Sequence, residues 1–250
     1  NLKNLRAAGV TENFLGIYFA ENGAFPSPET ILKAESWGAM AERFRAIAQA
    51  AKGLGFRGIC VDIEYPFPRY ALDNPIYKYE DYTAQDLLNA AQRGMKQITN
   101  AMLHAFPEAP IIVLPGSLWC RPIARKMQLG MLEAMAERQT PGGMHFGLER
   151  SYGLLDPVSQ VAIPREGDLA VQALVKDPDM LAYWKRYCSV APGVWPLHMI
   201  ETGGKDYPVR LWPEEMAELR QQMEILRCVA KRYIWSYSAN ALWHPYTPEI

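Results

Sequence analysis

No apolar run in this 250-residue chain approaches the roughly 20 residues that cross a bilayer as a helix, so the sequence offers no membrane span. A surplus of either charge is also missing. Lys and Arg total 26 against 27 Asp and Glu, a formal net charge of −1, which argues against a nucleic-acid partner. Four cysteines, Cys60, Cys120, Cys188 and Cys228, stand far apart with no CxxC among them. With four scattered histidines they form no zinc pattern, and free buried thiols are the expectation. P-loop, GxSxG and HExxH motifs are absent, which removes the sequence case for a P-loop nucleotide enzyme, a serine hydrolase or a zinc protease. Internal repeats, low-complexity tracts and linkers are absent too. The first residue is Asn rather than Met, and the expectation is that an upstream segment has been trimmed, a signal peptide among the candidates. The cysteines leave the compartment open; a secreted or periplasmic location is the expectation over a cytoplasmic one.

What is present is a core and an alternation. At 49% hydrophobic residues the chain can build one large α/β domain, and residues 1–250 are read as a single catalytic barrel. Short apolar segments near residues 17, 60, 112, 146, 197 and 235 read as strands, the fifth over Val194–Ile200. Between them lie helical patterns over about 37–54 with Ser36 as cap, 83–106 behind a Thr83…Asp86 capping box, 122–138, 168–187 and 213–230. Strands alternating with helices predict a parallel sheet with helices outside it. The expected fold is a (β/α)8 TIM barrel, incomplete or truncated at its N-terminus because only six strands are read.

The segment Gly55–Pro66 organises the rest. A helix ends at Gly55, and a short β-branched strand follows and stops at Asp62, Glu64, Tyr65 and Pro66. Strand alternation puts Gly58, Cys60, Asp62 and Glu64 on one face and Ile59, Val61 and Ile63 on the other, toward the helices. Carboxylates at the carboxyl end of a barrel strand are costly to desolvate unless they have a partner or a task. The plain alternative is an ion pair with Arg57. Glu201, expected to end the fifth strand, and Glu149, expected to end the fourth, are further acids on the same face. Trp119, Tyr152, Trp235, Tyr237 and Trp243 lie at or after strand ends, where aromatic faces can stack on sugar rings.

Phe56-Arg57-Gly58-Ile59-Cys60-Val61-Asp62-Ile63-Glu64-Tyr65-Pro66 resembles the fourth-strand signature of the chitinase-type (family 18) glycoside hydrolases. Arg57, Cys60 and Ile63 replace two aspartates and a tryptophan of that pattern. The resemblance implies that Glu64 is the general acid/base, that Asp62 supports it and orients the substrate, and that Trp235 floors the sugar site. Glu64 and Glu201 also resemble, in position, the acid/base and nucleophile of the retaining β-glycosidases, although Ile63 stands where that clan has Asn. The expected function is therefore glycoside hydrolysis of an oligo- or polysaccharide. Catalytic Glu64, Asp62 and Glu201 act on a substrate held by Tyr65, Trp119, Glu149, Tyr152, Trp235 and Tyr237, with no metal or cofactor. The alternatives are a lectin-like, non-catalytic carbohydrate-binding barrel, and a lyase or isomerase with a divalent metal at Asp62 and Glu64.

Overall fold

The computed structural model describes residues 2–7, 9–18, 31–63, 78–79, 82–116, 122–152, 156–194 and 213–236. In chain order these form α1 (Leu2–Ala7), β1 (Phe14–Tyr18), α2 (Ala34–Leu54), β2 (Gly58–Asp62), β3 (Lys78–Tyr79), β4 (Tyr82–Thr83) and α3 (Ala84–Ala105). Then follow β5 (Ile111–Leu114), α4 (Pro122–Arg138), β6 (Met144–Leu148), α5 (Pro157–Leu174), α6 (Pro178–Tyr187), β7 (Ser189–Val194), α7 (Pro213–Val229) and β8 (Trp235–Ser236).

β1, β2, β5, β6, β7 and β8 make one parallel sheet in that order, and β3 pairs antiparallel with β4. The outcome is a mixed α/β chain with six parallel strands, and a complete eight-stranded barrel is not present among the described residues. The sheet curls. The Tyr233 ring, two residues before β8, meets Phe14 of β1 edge-on at 5.3 Å and His145 of β6 at 4.7 Å. Aromatic side chains thus draw the two ends of the sheet together.

The outer face of the sheet is the core. Ile59, Val61 and Ile63 of the β2 segment are fully buried, as are Ile111, Val113 and Met144. Each such side chain contributes on the order of 2 kcal/mol. The predicted alternation along β2 is correct: the aliphatic residues join the helices, and Gly58, Cys60 and Asp62 face inward.

Local sequence explains the helix ends. Gly55 closes α2 at φ 80°, a left-handed conformation that glycine adopts without penalty. The Thr83 hydroxyl accepts from the Asp86 backbone N–H at 3.2 Å, and the Asp86 carboxylate accepts from the Thr83 N–H at 2.8 Å. This is the predicted capping box. Lys96 of α3 bridges to Glu133 and Glu137 of α4 at 2.8 and 2.6 Å.

Several expectations are corrected. α2 opens at Ala34, with Lys33 at the N-cap and no side-chain cap, so Ser36 lies inside the helix. Leu54, the apolar residue that ends α2, is 64% exposed. The helix expected over 168–187 is two helices, α5 and α6, divided before Pro178. The described strand in this region is Ser189–Val194, which begins earlier than the one expected over Val194–Ile200; residues 195–200 lie outside the described residues. Of the thiols expected to be buried, Cys188 is buried, Cys60 half-buried and Cys228 exposed.

Candidate functional site

The inner face of the curled sheet carries small residues where the outer face carries aliphatic ones. Gly58 and Cys60 on β2 and Ala191 on β7 lie on this face, and Gly147 on β6 and Gly193 on β7 leave room there for neighbouring side chains. Trp235 fills part of it. A Cβ added at Gly147 would overlap Leu114 and stand 3.1 Å from the Trp235 Nε1. One at Gly193 would stand 2.7 Å from the Tyr152 ring and 2.9 Å from the Trp235 ring. The two glycines are therefore what lets the indole lie against the strand backbones. Tyr152 meets it edge-on, with centroids 5.2 Å apart and planes at 64°.

The turn that presents Tyr152 is held firmly. After β6 the chain makes a short 3-10 turn, Glu149–Ser151, in which Ser151 is fully buried. The Ser151 hydroxyl accepts from the Gly193 N–H at 2.8 Å and lies 2.7 Å from the Gly193 carbonyl oxygen. Gln222 of α7 donates to the Ser151 and Tyr152 carbonyls at 3.2 and 3.3 Å. Strand β7 and helix α7 thus fix the backbone that carries the tyrosine.

Trp235 brings one unresolved polar atom. Its Nε1 is buried and has no hydrogen-bond partner among the described residues. A buried N–H without an acceptor costs about 1–3 kcal/mol, so an acceptor that arrives with a ligand is rewarded by that amount.

Asp62 ends β2 on the same inner face and is level in the ladder with Leu114, the side chain that covers Gly147. Its charge, after burial, helps push the Cys60 thiol up to about 12. Cys60 is therefore a protonated thiol at neutral pH rather than a nucleophile. Arg57, considered as a partner for Asp62 or Glu64, pairs with Glu12 at 3.3 Å.

At the other end of the curl lies a polar pair that the sequence did not single out. Fully buried His145 accepts from the Ser189 hydroxyl on Nδ1 at 2.8 Å and donates from Nε2 to the Gly142 carbonyl at 3.0 Å. Burial lowers its pKa to about 4, so the ring is neutral. It is spaced like a catalytic serine–histidine pair, yet it is sealed at the amino end of β6 and β7, the end of a barrel sheet that serves stability rather than chemistry. Its place is structural.

Of the expected site residues, Asp62, Glu149, Tyr152 and Trp235 are described. The structure brings Tyr152 and Trp235 into contact and sets Asp62 and Glu149 at the carboxyl ends of β2 and β6. Glu64, Tyr65, Trp119, Glu201, Tyr237 and Trp243 lie outside the described residues. β7 is Ser189–Val194, and the stretch from 195 to Glu201, on which the positional case for Glu201 rests, is outside the described residues. Ser151, Gln222 and the two glycines were missed, since their roles depend on contacts across dozens of residues.

No family model matches the chain, and no curated protein matches it. Among solved structures it aligns with an old yellow enzyme homologue from Zymomonas mobilis. Identity there is 10% and the TM-score 0.34, over 82% of this chain and 49% of the other, so the chain spans about half the length of that structure. Neither a family model nor a curated protein supports a glycoside hydrolase, chitinase-type or other. The assignment as a glycosidase acting on an oligo- or polysaccharide is therefore corrected, and with it the lectin-like alternative. Asp62, Glu149, Tyr152 and Trp235 keep their positions without that chemistry. No helix among the described residues is long and apolar enough to cross a membrane. Among them, no three His, Cys, Asp or Glu side chains converge as metal ligands.

Proposed function

We propose that the chain is an α/β barrel-type enzyme that binds a small organic molecule on the inner face of the curled sheet, at the carboxyl ends of β2, β5, β6, β7 and β8. Open α/β sheets receive ligands at this end because the loops there converge and the strand ends present side chains. The observation that supports the reading is the buried Nε1 of Trp235, which has no hydrogen-bond partner among the described residues. It donates to a carbonyl, carboxylate or hydroxyl oxygen of the ligand. The Tyr152 ring walls the same space, and Asp62 accepts a proton or hydrogen bond from the ligand on the far side of Leu114. Cys60, protonated, lines the floor without attacking.

Indole-labelled protein titrated with a panel of small carbonyl, carboxylate and hydroxyl compounds tests this. The expected result is a ligand that moves the Trp235 Nε1–H resonance. Its affinity falls about tenfold in Trp235→Phe, which keeps a ring and loses the donor. Asp62→Asn should reduce turnover more than binding. Ligands that bind without disturbing the Trp235 resonance, or equally well in Trp235→Phe, would refute the reading.

A further inference from the structure

A second hollow opens on the outside of the sheet, away from the site above. It lies between α5, α6, the start of β7 and the end of α7, with a volume of about 570 Å³. That falls within the range of small-molecule sites, roughly 300–1,000 Å³. We propose that it binds a small organic anion carrying an apolar group.

The charge around it favours an anion. Arg165, Lys185 and Lys231 line it against a single acid, Asp168. Both Asp168 oxygens are engaged: one accepts from the Trp184 Nε1 at 2.8 Å, the other from the Gln172 amide at 2.6 Å. Lys231 gives two of its three N–H groups to the Lys185 and Cys188 carbonyls, at 2.8 and 2.9 Å, and so caps the end of α6. Its charge and third donor remain available. Arg165 and Lys185 are exposed and have no ion-pair partner among the described residues. Three cations facing one acid that is already hydrogen-bonded leave the hollow with a surplus of positive charge.

The rest of the wall is apolar. Leu169 stands at 62% exposure on the rim, and Val190, at 6%, is on the floor. A bare inorganic ion would leave that surface wet, whereas an aryl or short acyl group covers it. A phosphate monoester and a carboxylate share this chemistry. The Ser189 hydroxyl is not part of the site, because it is turned inward to His145.

The test uses the full chain, titrated with phenyl phosphate, benzoate and neutral benzyl alcohol and followed through the Trp184 indole resonance, which reports on Asp168. Saturable shifts with phenyl phosphate or benzoate, and none with benzyl alcohol, are expected. Whichever anion binds more tightly names the class. Arg165→Gln and Lys185→Gln, both at exposed positions, should each weaken binding about tenfold, the weight of one charge-assisted hydrogen bond. The proposal is overturned if neither anion saturates, if affinity is unchanged in both variants, or if the anions move the Trp235 resonance and leave Trp184 still. The last result would leave the inner-face reading standing.

Discussion

Acidification gives the sharpest test of the fold. His145 is sealed between β6 and β7 with a pKa near 4, whereas an unfolded chain protonates the same ring near 6.5. Between those two values the unfolded state binds the extra proton and the native state does not, so stability rises with pH there. The contribution is complete above about pH 6.5, shrinks as the pH falls, and is gone below about 4. At about 1.4 kcal/mol per pH unit, the gap amounts to roughly 3 kcal/mol, a large share of a typical domain's stability. Desolvation is the main cause, and the nearby charges of Arg232 and Lys231 act in the same direction; the hydrogen bond to the Gly142 carbonyl opposes them. The Ser189 hydroxyl and the Tyr233 ring complete the surroundings. Urea titrations at several pH values from 7.5 to 4.5, on wild type and His145→Gln, measure the effect. The variant should start less stable at neutral pH, having lost a fitted ring, but should lose much less on acidification. Equal steepness in the two proteins would refute the assignment of a buried neutral histidine.

Three further outcomes follow from the packing. Gly94→Ala ordinarily helps a helix by about 1 kcal/mol, but here the new methyl overlaps the buried Trp37 indole, and a net loss of about 1–3 kcal/mol is expected by denaturant melting. Adding Trp37→Leu should make Gly94→Ala less costly than it is alone, and a stabilised single variant would contradict the contact. Thr83→Ala should cost about 1 kcal/mol through the lost capping box, with Tm as readout and no change as the contrary result. Brief alkylation at pH 8 followed by peptide mass mapping should label exposed Cys228 before Cys60 and Cys188, whose thiols are both held at about 12. Cys60 reacting first would mean that its surroundings are more polar than described.

Much of the architecture was readable residue by residue. Period-two alternation located the inward and outward sides of β2. Thr83 and Asp86 announced α3, and the ends of α4 follow the apolar spacing between Pro122 and Arg138. The failures have physical causes. β7 reads Ser-Val-Ala-Pro-Gly-Val, and its proline and glycine look like loop punctuation; tertiary burial on both faces overrides that local signal. The Asp156-Pro157 and Asp177-Pro178 pairs are N-cap and first-turn signals that were present and passed over. Asp62, Tyr152 and Trp235 could be nominated because each follows or ends a strand. The freedom of the Trp235 donor could not, since it depends on two glycines 46 residues apart allowing a ring to settle between them. Nor does spacing reveal a hydrogen bond between His145 and Ser189, 44 residues distant.

The meeting of Tyr233 with Phe14 has a consequence for how the molecule is made. The tyrosine hydroxyl also reaches the Glu12 carboxylate at 3.4 Å, 221 positions away along the chain, and Glu12 in turn holds Arg57. Contacts of such separation reward the chain only after nearly every other loop has closed. A ribosome-bound nascent chain, or one clipped ahead of position 233, therefore lacks the ring that packs on Phe14 and the hydroxyl that reaches Glu12, and this side of β1 is less covered against proteases or another copy of the chain.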